Sequence, residues 1–146
     1  MREILFRGKR TDNEEWLEGG VVCGKHGEVY ITGFTDDSFD SAYVYIITEQ
    51  AIPKTVGQYT GQTDKNGKNG KKIFEGDIGR YKQTDGAKEN GKPIICTGVV
   101  LYNEKTASFA VESKDEKGRK YFDYFPIKDF EVIGNIHDNP ELLNGE

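Results

Sequence analysis

The sequence has few of the residues that cross-link a chain or anchor it in a membrane. It contains only two cysteines, Cys23 and Cys96, without a Cys-x-x-Cys spacing, so we expect neither a disulfide framework nor a zinc site. Its longest apolar stretch, Ala42 to Ile47, is far shorter than a membrane span, and charged residues follow Met1 at once. These features predict a cytoplasmic protein without a membrane segment or a signal peptide.

Helix-forming residues are also scarce. Leucine, alanine and methionine together number 11, whereas isoleucine and valine number 21 and aromatic residues number 17. This balance favours β-sheet over helix. The 18 glycines and the four Asn-Gly pairs, which begin at Asn66, Asn69, Asn90 and Asn144, supply the backbone conformations of tight turns. The composition therefore predicts a mainly β fold.

Hydrophobic periodicity and turn residues predict nine strands. Short polar turns after the first two strands indicate antiparallel neighbours. The predicted strands are Ile4 to Lys9, Trp16 to Cys23, Glu28 to Thr32, Tyr43 to Thr48, Asp77 to Lys82, Ile94 to Tyr102, Ser108 to Glu112, Lys120 to Phe125 and Phe130 to Ile136.

A short helical turn is predicted at the end of the chain. Asn139 is a capping residue, Pro140 suits the first helical position, and Leu142 and Leu143 follow. A helix or 3₁₀ turn here would fold the two leucines onto the rest of the protein.

No motif in the chain indicates catalysis, a metal or a cofactor. The segment Asp64 to Glu75 resembles a calcium loop only in part, because Lys68 and Asn69 stand where an oxygen ligand and a glycine are required. The two histidines, His26 and His137, have no metal-ligand spacing. We therefore expect no catalytic residues, no metal site and no cofactor.

One segment has the minimum pattern for contacting phosphates. Four lysines lie between residues 65 and 72, next to two aromatic residues, which is the combination that binds a nucleic-acid backbone and stacks a base. The net charge of the whole chain is −5, which disfavours binding to a polyanion, so a solvated turn is the simpler interpretation. The candidate binding loop consists of Tyr59, Lys65, Lys68, Lys71, Lys72 and Phe74.

Three ordered blocks are more specific than these patterns. The first joins Arg2-Glu3-Ile4 and Phe6-Arg7-Gly8 to Trp16, the second runs from Thr55 to Gly61 and from Ile73 to Ile78, and the third runs from Val132 to Leu143. Together they resemble the YopX protein family of phages and prophages. The residues that carry this signature in the second and third blocks are Gly57, Gln58, Tyr59, Thr60, Gly61, Glu75, Gly76, Asp77, Ile78, Gly134, Asn135, Asn139 and Pro140.

The resemblance implies an SH3-like small β-barrel and no established activity. With the change in composition near Gln50 to Lys54, it predicts an N-terminal β extension over residues 1–50 and a barrel domain over residues 51–146. The signature residues are interpreted as structural: Gly57, Gly61 and Gly76 suit positive φ angles, and Asp77 can accept hydrogen bonds from the N–H groups of a turn.

Three functions stay open. The first is a non-catalytic binding or assembly module in the cytoplasm of a bacterial host, with an unknown protein or a second copy of the chain as partner. The second is a nucleic-acid-binding barrel that uses the lysine-rich loop. The third is a metal-dependent hydrolase built from scattered aspartates.

Overall fold

A computed structural model describes residues 2–34, 46–66, 70–83 and 88–144. These residues divide into two compact units, Met1–Tyr59 and Thr60–Glu146. The predicted domains, 1–50 and 51–146, stay a prediction, because close contacts within a unit do not show that it folds alone.

The first unit is an antiparallel sheet in the order β4-β3-β2-β1-β5. Gly8 of β1 lies in its interior, where a Cβ would be 3.1 Å from Ala51 and from Val56. The Thr55 hydroxyl fixes the end of the sheet, since it donates to the Ile52 carbonyl at 2.6 Å and accepts the Lys9 N–H at 2.9 Å. The elements are β1 (Phe6–Lys9), β2 (Trp16–Cys23), β3 (Val29–Phe34), β4 (Ile46–Ala51), a 3₁₀ turn (Pro53–Thr55) and β5 (Gly57–Thr63), which ends in the second unit.

The second unit contains a five-stranded antiparallel sheet in the order β12-β11-β10-β7-β13. The elements of the second unit are β6 (Lys72–Phe74), β7 (Asp77–Lys82), β8 (Lys88–Glu89), β9 (Lys92–Pro93), β10 (Ile95–Asn103), β11 (Ser108–Asp115), β12 (Lys120–Tyr124), β13 (Glu131–Asn135) and a terminal 3₁₀ turn (Pro140–Leu143). Strands β8 and β9 pair with each other in a separate ribbon.

The core of the second unit lies on one face of this sheet. Its fully or almost fully buried residues are Ile73, Tyr81, Cys96, Val100, Val111, Ile127 and Phe130. The ring of Phe130 packs directly on the backbone of Gly79, at the place that a Cβ would occupy. The centroid of the same ring lies 5.9 Å from that of Tyr81 and 5.3 Å from that of Phe125.

The prediction of a mainly β protein is confirmed, as is the terminal 3₁₀ turn, but the sheets are open. Strands β12 and β13 form opposite ends of the five-stranded sheet, and no pairing within the described part of the chain joins them. The barrel form of the predicted SH3-like fold is therefore wrong, because closure of a barrel requires the two end strands to pair.

Most predicted strands match observed ones, and β2 and β7 have the predicted ends. The sequence missed four strands, β5, β6, β8 and β9. The stretch Gly57–Thr63 is rich in glycine and polar residues and lacks the expected alternation, and the other three strands are only two or three residues long. Residues 43–45 of the predicted fourth strand lie outside the described residues. The Asn-Gly turn prediction is confirmed at Asn90 and Gly91, which join β8 to β9 with φ angles of 53° and 77°.

We expect the substitution Gly79→Ala to destabilise the protein by about 1–3 kcal/mol, because its methyl group would displace the Phe130 ring from a packed core. Gly20→Ala is the matched control, since a Cβ there would meet its nearest atom at an ordinary 3.4 Å. Urea denaturation followed by tryptophan fluorescence and circular dichroism measures the free energy of unfolding of both variants. Equal free energies of unfolding for the two variants would show that the Phe130 ring can pack against position 79 even when a Cβ is present there.

Candidate functional site

The described members of the candidate binding loop differ in exposure and in their partners. Tyr59 and Phe74 are only 8% and 2% exposed, so neither ring has a face available for stacking on a base, and this part of the prediction is wrong. Lys65 forms an ion pair with Glu131 at 2.8 Å, which raises the pKa of Lys65 through a hydrogen bond and charge attraction. Lys71 is exposed, Lys72 is partly buried, and Lys68 lies outside the described residues.

Asp64 determines how this loop begins and ends. Its side chain is buried, and Oδ1 accepts the N–H groups of Asn66 and Lys71, each at 3.2 Å. The backbone N–H of Asp64 also donates to the Lys71 carbonyl at 2.8 Å. A carboxylate that accepts N–H groups from both sides of a loop acts as a structural clamp, and this accounts for an acidic residue next to a lysine-rich segment.

Asp77 has the role that the sequence predicts for it. It is 2% exposed, and its Oδ2 accepts the N–H of Phe74 at 2.8 Å. The turn between them passes through Gly76, whose φ is +88°, a value that L side chains rarely adopt. Glu75 and Gly76 thus form a tight turn from β6 into β7, which places Ile78 in the buried interior.

The prediction for Gly57 is wrong, although that for Gly61 is confirmed. Gly61 has a φ of +86°, whereas Gly57 is not among the glycines with positive φ and pairs with Arg7 as an ordinary residue of β5. Gln58 and Thr60 continue the same strand. The second signature block is therefore mostly strand rather than turn.

The third signature block folds the end of the chain back onto β13. The side-chain oxygen of Asn135 accepts the N–H groups of His137 and Asp138 at 3.0 and 2.9 Å. Asn139 precedes Pro140 as predicted but makes no side-chain cap; its Oδ1 accepts the Asn135 N–H at 3.3 Å instead. Gly134 permits this approach, because a Cβ there would lie 2.6 Å from that oxygen.

A buried polar cluster connects four strands of the five-stranded sheet. The Tyr81 hydroxyl donates to Asp123 Oδ2 at 2.6 Å and lies 2.7 Å from Ser113 Oγ, while Gln83 contacts the same carboxylate at 3.3 Å and Cys96 Sγ at 3.7 Å. Burial raises the pKa values of Tyr81 and Cys96. Both groups therefore keep their protons near neutral pH, which suits a structural cluster and not a nucleophile.

A charged cluster lines an open cavity of about 570 Å³ at one end of the same sheet. Glu89 of the β8–β9 ribbon pairs with Lys117 at 2.7 Å and with Arg119 at 2.8 Å, and Arg119 also contacts Asp115 at 2.5 Å. Burial opposes the charge of Asp115, but hydrogen bonds from Arg119, Tyr121 and nearby backbone N–H groups lower its pKa to about 2. These two acids and two bases neutralise one another.

Strand β12 presents aromatic side chains to solvent. Phe122 and Tyr124 are 44% and 46% exposed, and their ring centroids are 5.3 Å apart in an edge-to-face arrangement. Asn103 of β10 donates to the Tyr124 hydroxyl at 3.2 Å, so this ring lies across β11 toward β10. We call Lys120, Phe122 and Tyr124, with the backbone that joins them, the β12 edge.

The backbone of the β12 edge also has free hydrogen-bonding capacity. At one end of the β11–β12 ladder the Phe125 N–H donates to the Phe109 carbonyl, and at the other end the Asp115 N–H donates to the Arg119 carbonyl. These two bonds show which residues of β12 direct their backbone groups toward β11. Because antiparallel residues alternate between facing the partner strand and facing away, the N–H and C=O groups of Lys120, Phe122 and Tyr124 point outward. Within the described residues no backbone group pairs with them.

Sequence reasoning missed the β12 edge, although a signal was present. The run Lys120-Tyr121-Phe122-Asp123-Tyr124 places aromatic residues on both faces of one short strand. Such a strand is either covered on both sides or exposes an aromatic face, and the sequence does not show which, because strand order is decided by tertiary pairing.

These features define a class: an all-β protein of two antiparallel units with an open sheet edge that exposes aromatic residues. The family model of the YopX protein matches residues 5–144, nearly the whole chain, and the chain therefore belongs to the YopX family. The predicted resemblance is confirmed. A comparison with the curated proteins finds no match.

Two further observations apply only to the described residues. No helix in them is long and apolar enough to cross a membrane. No group of three or more histidine, cysteine, aspartate or glutamate side chains in them is arranged to hold a metal ion. The aspartates 36, 37 and 40 of the sequence lie outside the described residues.

We expect the carboxyl group of Asp115 to titrate near pH 2 and the substitution Arg119→Gln to raise its pKa, because the largest favourable contact to the carboxylate is then lost. Because its pKa is lowered in the folded state, the Asp115 carboxylate stabilises the folded protein. This stabilisation is fully present above the normal pKa of about 4 and is lost as the pH falls toward 2. Carbon-detected NMR titration of the side-chain carboxyl measures this, with Lys117→Gln as the control. An unchanged pKa in Arg119→Gln would contradict the assignment.

Proposed function

We propose that this YopX-family protein is a small non-catalytic binding or assembly module that contacts its partner through the β12 edge. The observation that supports this most is the combination of unpaired strand backbone with two exposed aromatic rings. A free edge adds a strand through main-chain hydrogen bonds, and alternate side chains then provide specificity. An SH3-like character of residues 51–146 and a phage or prophage origin belong to the same proposal and are supported by family membership. A place in the bacterial cytoplasm also belongs to it and is supported by the sequence features that predict it.

The rings of the β12 edge are held in place before any partner binds. Tyr124 is fixed by Asn103 and by the edge-to-face contact with Phe122. A side chain that is already ordered loses little conformational entropy on binding, and tyrosine and phenylalanine combine a large apolar area with few rotatable bonds. These are the properties of residues that contribute most to binding energy at protein interfaces.

The proposal of a non-catalytic role is supported by the state of the reactive groups in the buried polar cluster and beside the cavity. The raised pKa values of Tyr81 and Cys96 keep both groups protonated, and Ser113 is 3% exposed and hydrogen-bonded to Tyr81. Asp115 and Glu89, the acids beside the cavity, are engaged by Arg119 and Lys117. A general base or nucleophile requires an available group with a pKa near neutrality.

One observation favours nucleic-acid binding as a second candidate, on a surface other than the lysine-rich loop. Lys120, Lys114 and Arg80 lie in one row across the face of the five-stranded sheet opposite the core, with Thr97 between the last two. All three cations are exposed, and none forms an ion pair with another described residue. Such a row next to Phe122 combines phosphate contacts with a stacking surface.

The binding-module proposal is tested by selecting short random peptides on the wild-type protein and on the variant Phe122→Pro. Proline at this position removes an outward N–H but leaves the ladder to β11 intact. We expect selected peptides to bind the wild-type protein and the control Tyr102→Ala, which loses a 43% exposed aromatic ring away from the edge, and to lose binding to Phe122→Pro. Peptides that bind all three proteins equally, or the absence of any enriched peptide, would refute this role.

For the second candidate we expect only weak binding of single-stranded oligonucleotides at physiological salt, with a dissociation constant of about 10⁻⁴ M or weaker, because the whole chain carries a charge of −5. Fluorescence anisotropy at two salt concentrations measures it. The double variant Lys114→Glu/Lys120→Glu should weaken whatever binding is found, and Lys71→Glu serves as the loop control. Submicromolar binding that the double variant abolishes would make nucleic-acid binding, and not the binding of a peptide partner, the favoured function.

A further inference from the structure

We propose that the occupant of the β12 edge is β12 of a second copy of this chain, paired antiparallel about a two-fold axis at Phe122. The inference rests on the proposed function, because it assigns a partner to the same edge. In this pairing Phe122 faces Phe122 of the other copy, and Lys120 faces Tyr124.

The register follows from the backbone. The outward N–H and C=O groups belong to Lys120, Phe122 and Tyr124, and outward groups of one strand can bond only to outward groups of the other. With the axis at Phe122 all three of these residues obtain partners. Every other antiparallel register leaves at least one of them beyond the strand of the second copy.

Side chains disfavour two of the other registers. A shift that pairs Lys120 with itself would oppose two ammonium groups, and one that pairs Asp123 with itself would oppose two carboxylates, both of which are destabilising. With the axis at Phe122, an aromatic residue faces its own copy, Lys120 faces the ring of Tyr124, and Asp123 faces Tyr121. Aromatic pairs and a cation next to a ring are favourable cross-strand combinations.

The opposite end of the sheet is protected against such pairing. Strand β13 has an irregular register between Val132 and Gly134, and a bulge of this kind disturbs an edge. The Phe130 carbonyl just before β13 accepts the Lys65 N–H at 2.8 Å, and the Lys65 side chain pairs with Glu131. Strand β12 pairs with β11 in continuous register over its whole length, so it lacks the device that blocks unwanted strand pairing at β13.

A charge-swap experiment tests the axis directly. We expect the wild-type protein to be a weak dimer with a dissociation constant of about 10–100 μM, as suits a small transient interface. Phe122→Lys and Phe122→Glu should each be monomeric, because like charges then face each other across the axis. An equimolar mixture of the two variants should dimerise again, since lysine then faces glutamate. Tyr102→Lys is the matched control and should dimerise like the wild-type protein.

Sedimentation velocity over a range of concentrations measures association. Thermal denaturation checks that each variant is folded, above all Phe122→Glu, which faces Glu112 in its own chain. A wild-type protein that stays monomeric would overturn the pairing, as would a dimer that survives in both single variants or a mixture that fails to associate. If pairing fails while the peptide selection succeeds, only the partner is wrong; if both fail, the proposed function is wrong as well.

Discussion

The contact between the Phe130 ring and the bare backbone of Gly79 is the constraint on which the second unit depends. Any side chain at position 79 would occupy the space of the ring. Because the ring fits there, the chain that leaves β12 can cross the core and enter β13 beside β7. The backbone carbonyl of Phe130 also accepts the Lys65 N–H, and this places Lys65 next to β13. The other end of the sheet, β12, is left as an open edge.

The buried polar cluster holds that edge in place from the interior. Asp123 lies at the centre of β12 and accepts the Tyr81 hydroxyl, while Gln83 contacts the same oxygen. An inward-facing hydrogen-bonded acid fixes the strand against its neighbours and leaves the alternate residues, Phe122 and Tyr124, facing outward. A low-dielectric interior strengthens such a network only when its members are satisfied, and Ser113 supplies a further hydroxyl contact to Tyr81. A rigid edge is a better binding surface than a mobile one.

Much of the strand pattern could be predicted from local sequence, and little of the candidate site could. Strands such as Trp16–Cys23 and Asp77–Lys82 show the residue types and turn signals of a half-buried strand, and the hydrogen bond at Asp77 follows from an acid after a turn glycine. Tyr59 and Phe74 were expected beside an exposed loop, yet both are buried. Proximity in sequence to charged residues does not determine burial, because burial depends on which strand face meets the core.

The sequence by itself determined that this protein is mainly β, where most of its turns lie and that it resembles the YopX family, because residue propensity, turn chemistry and motif order are local properties. Only the tertiary structure decided that the sheets are open, that Gly57 is a strand residue and that β12 is the exposed edge. These depend on which strands pair across long stretches of chain. The Phe130 ring packs on Gly79, which precedes Phe130 by 51 residues in the sequence. No local sequence pattern encodes a contact of this kind.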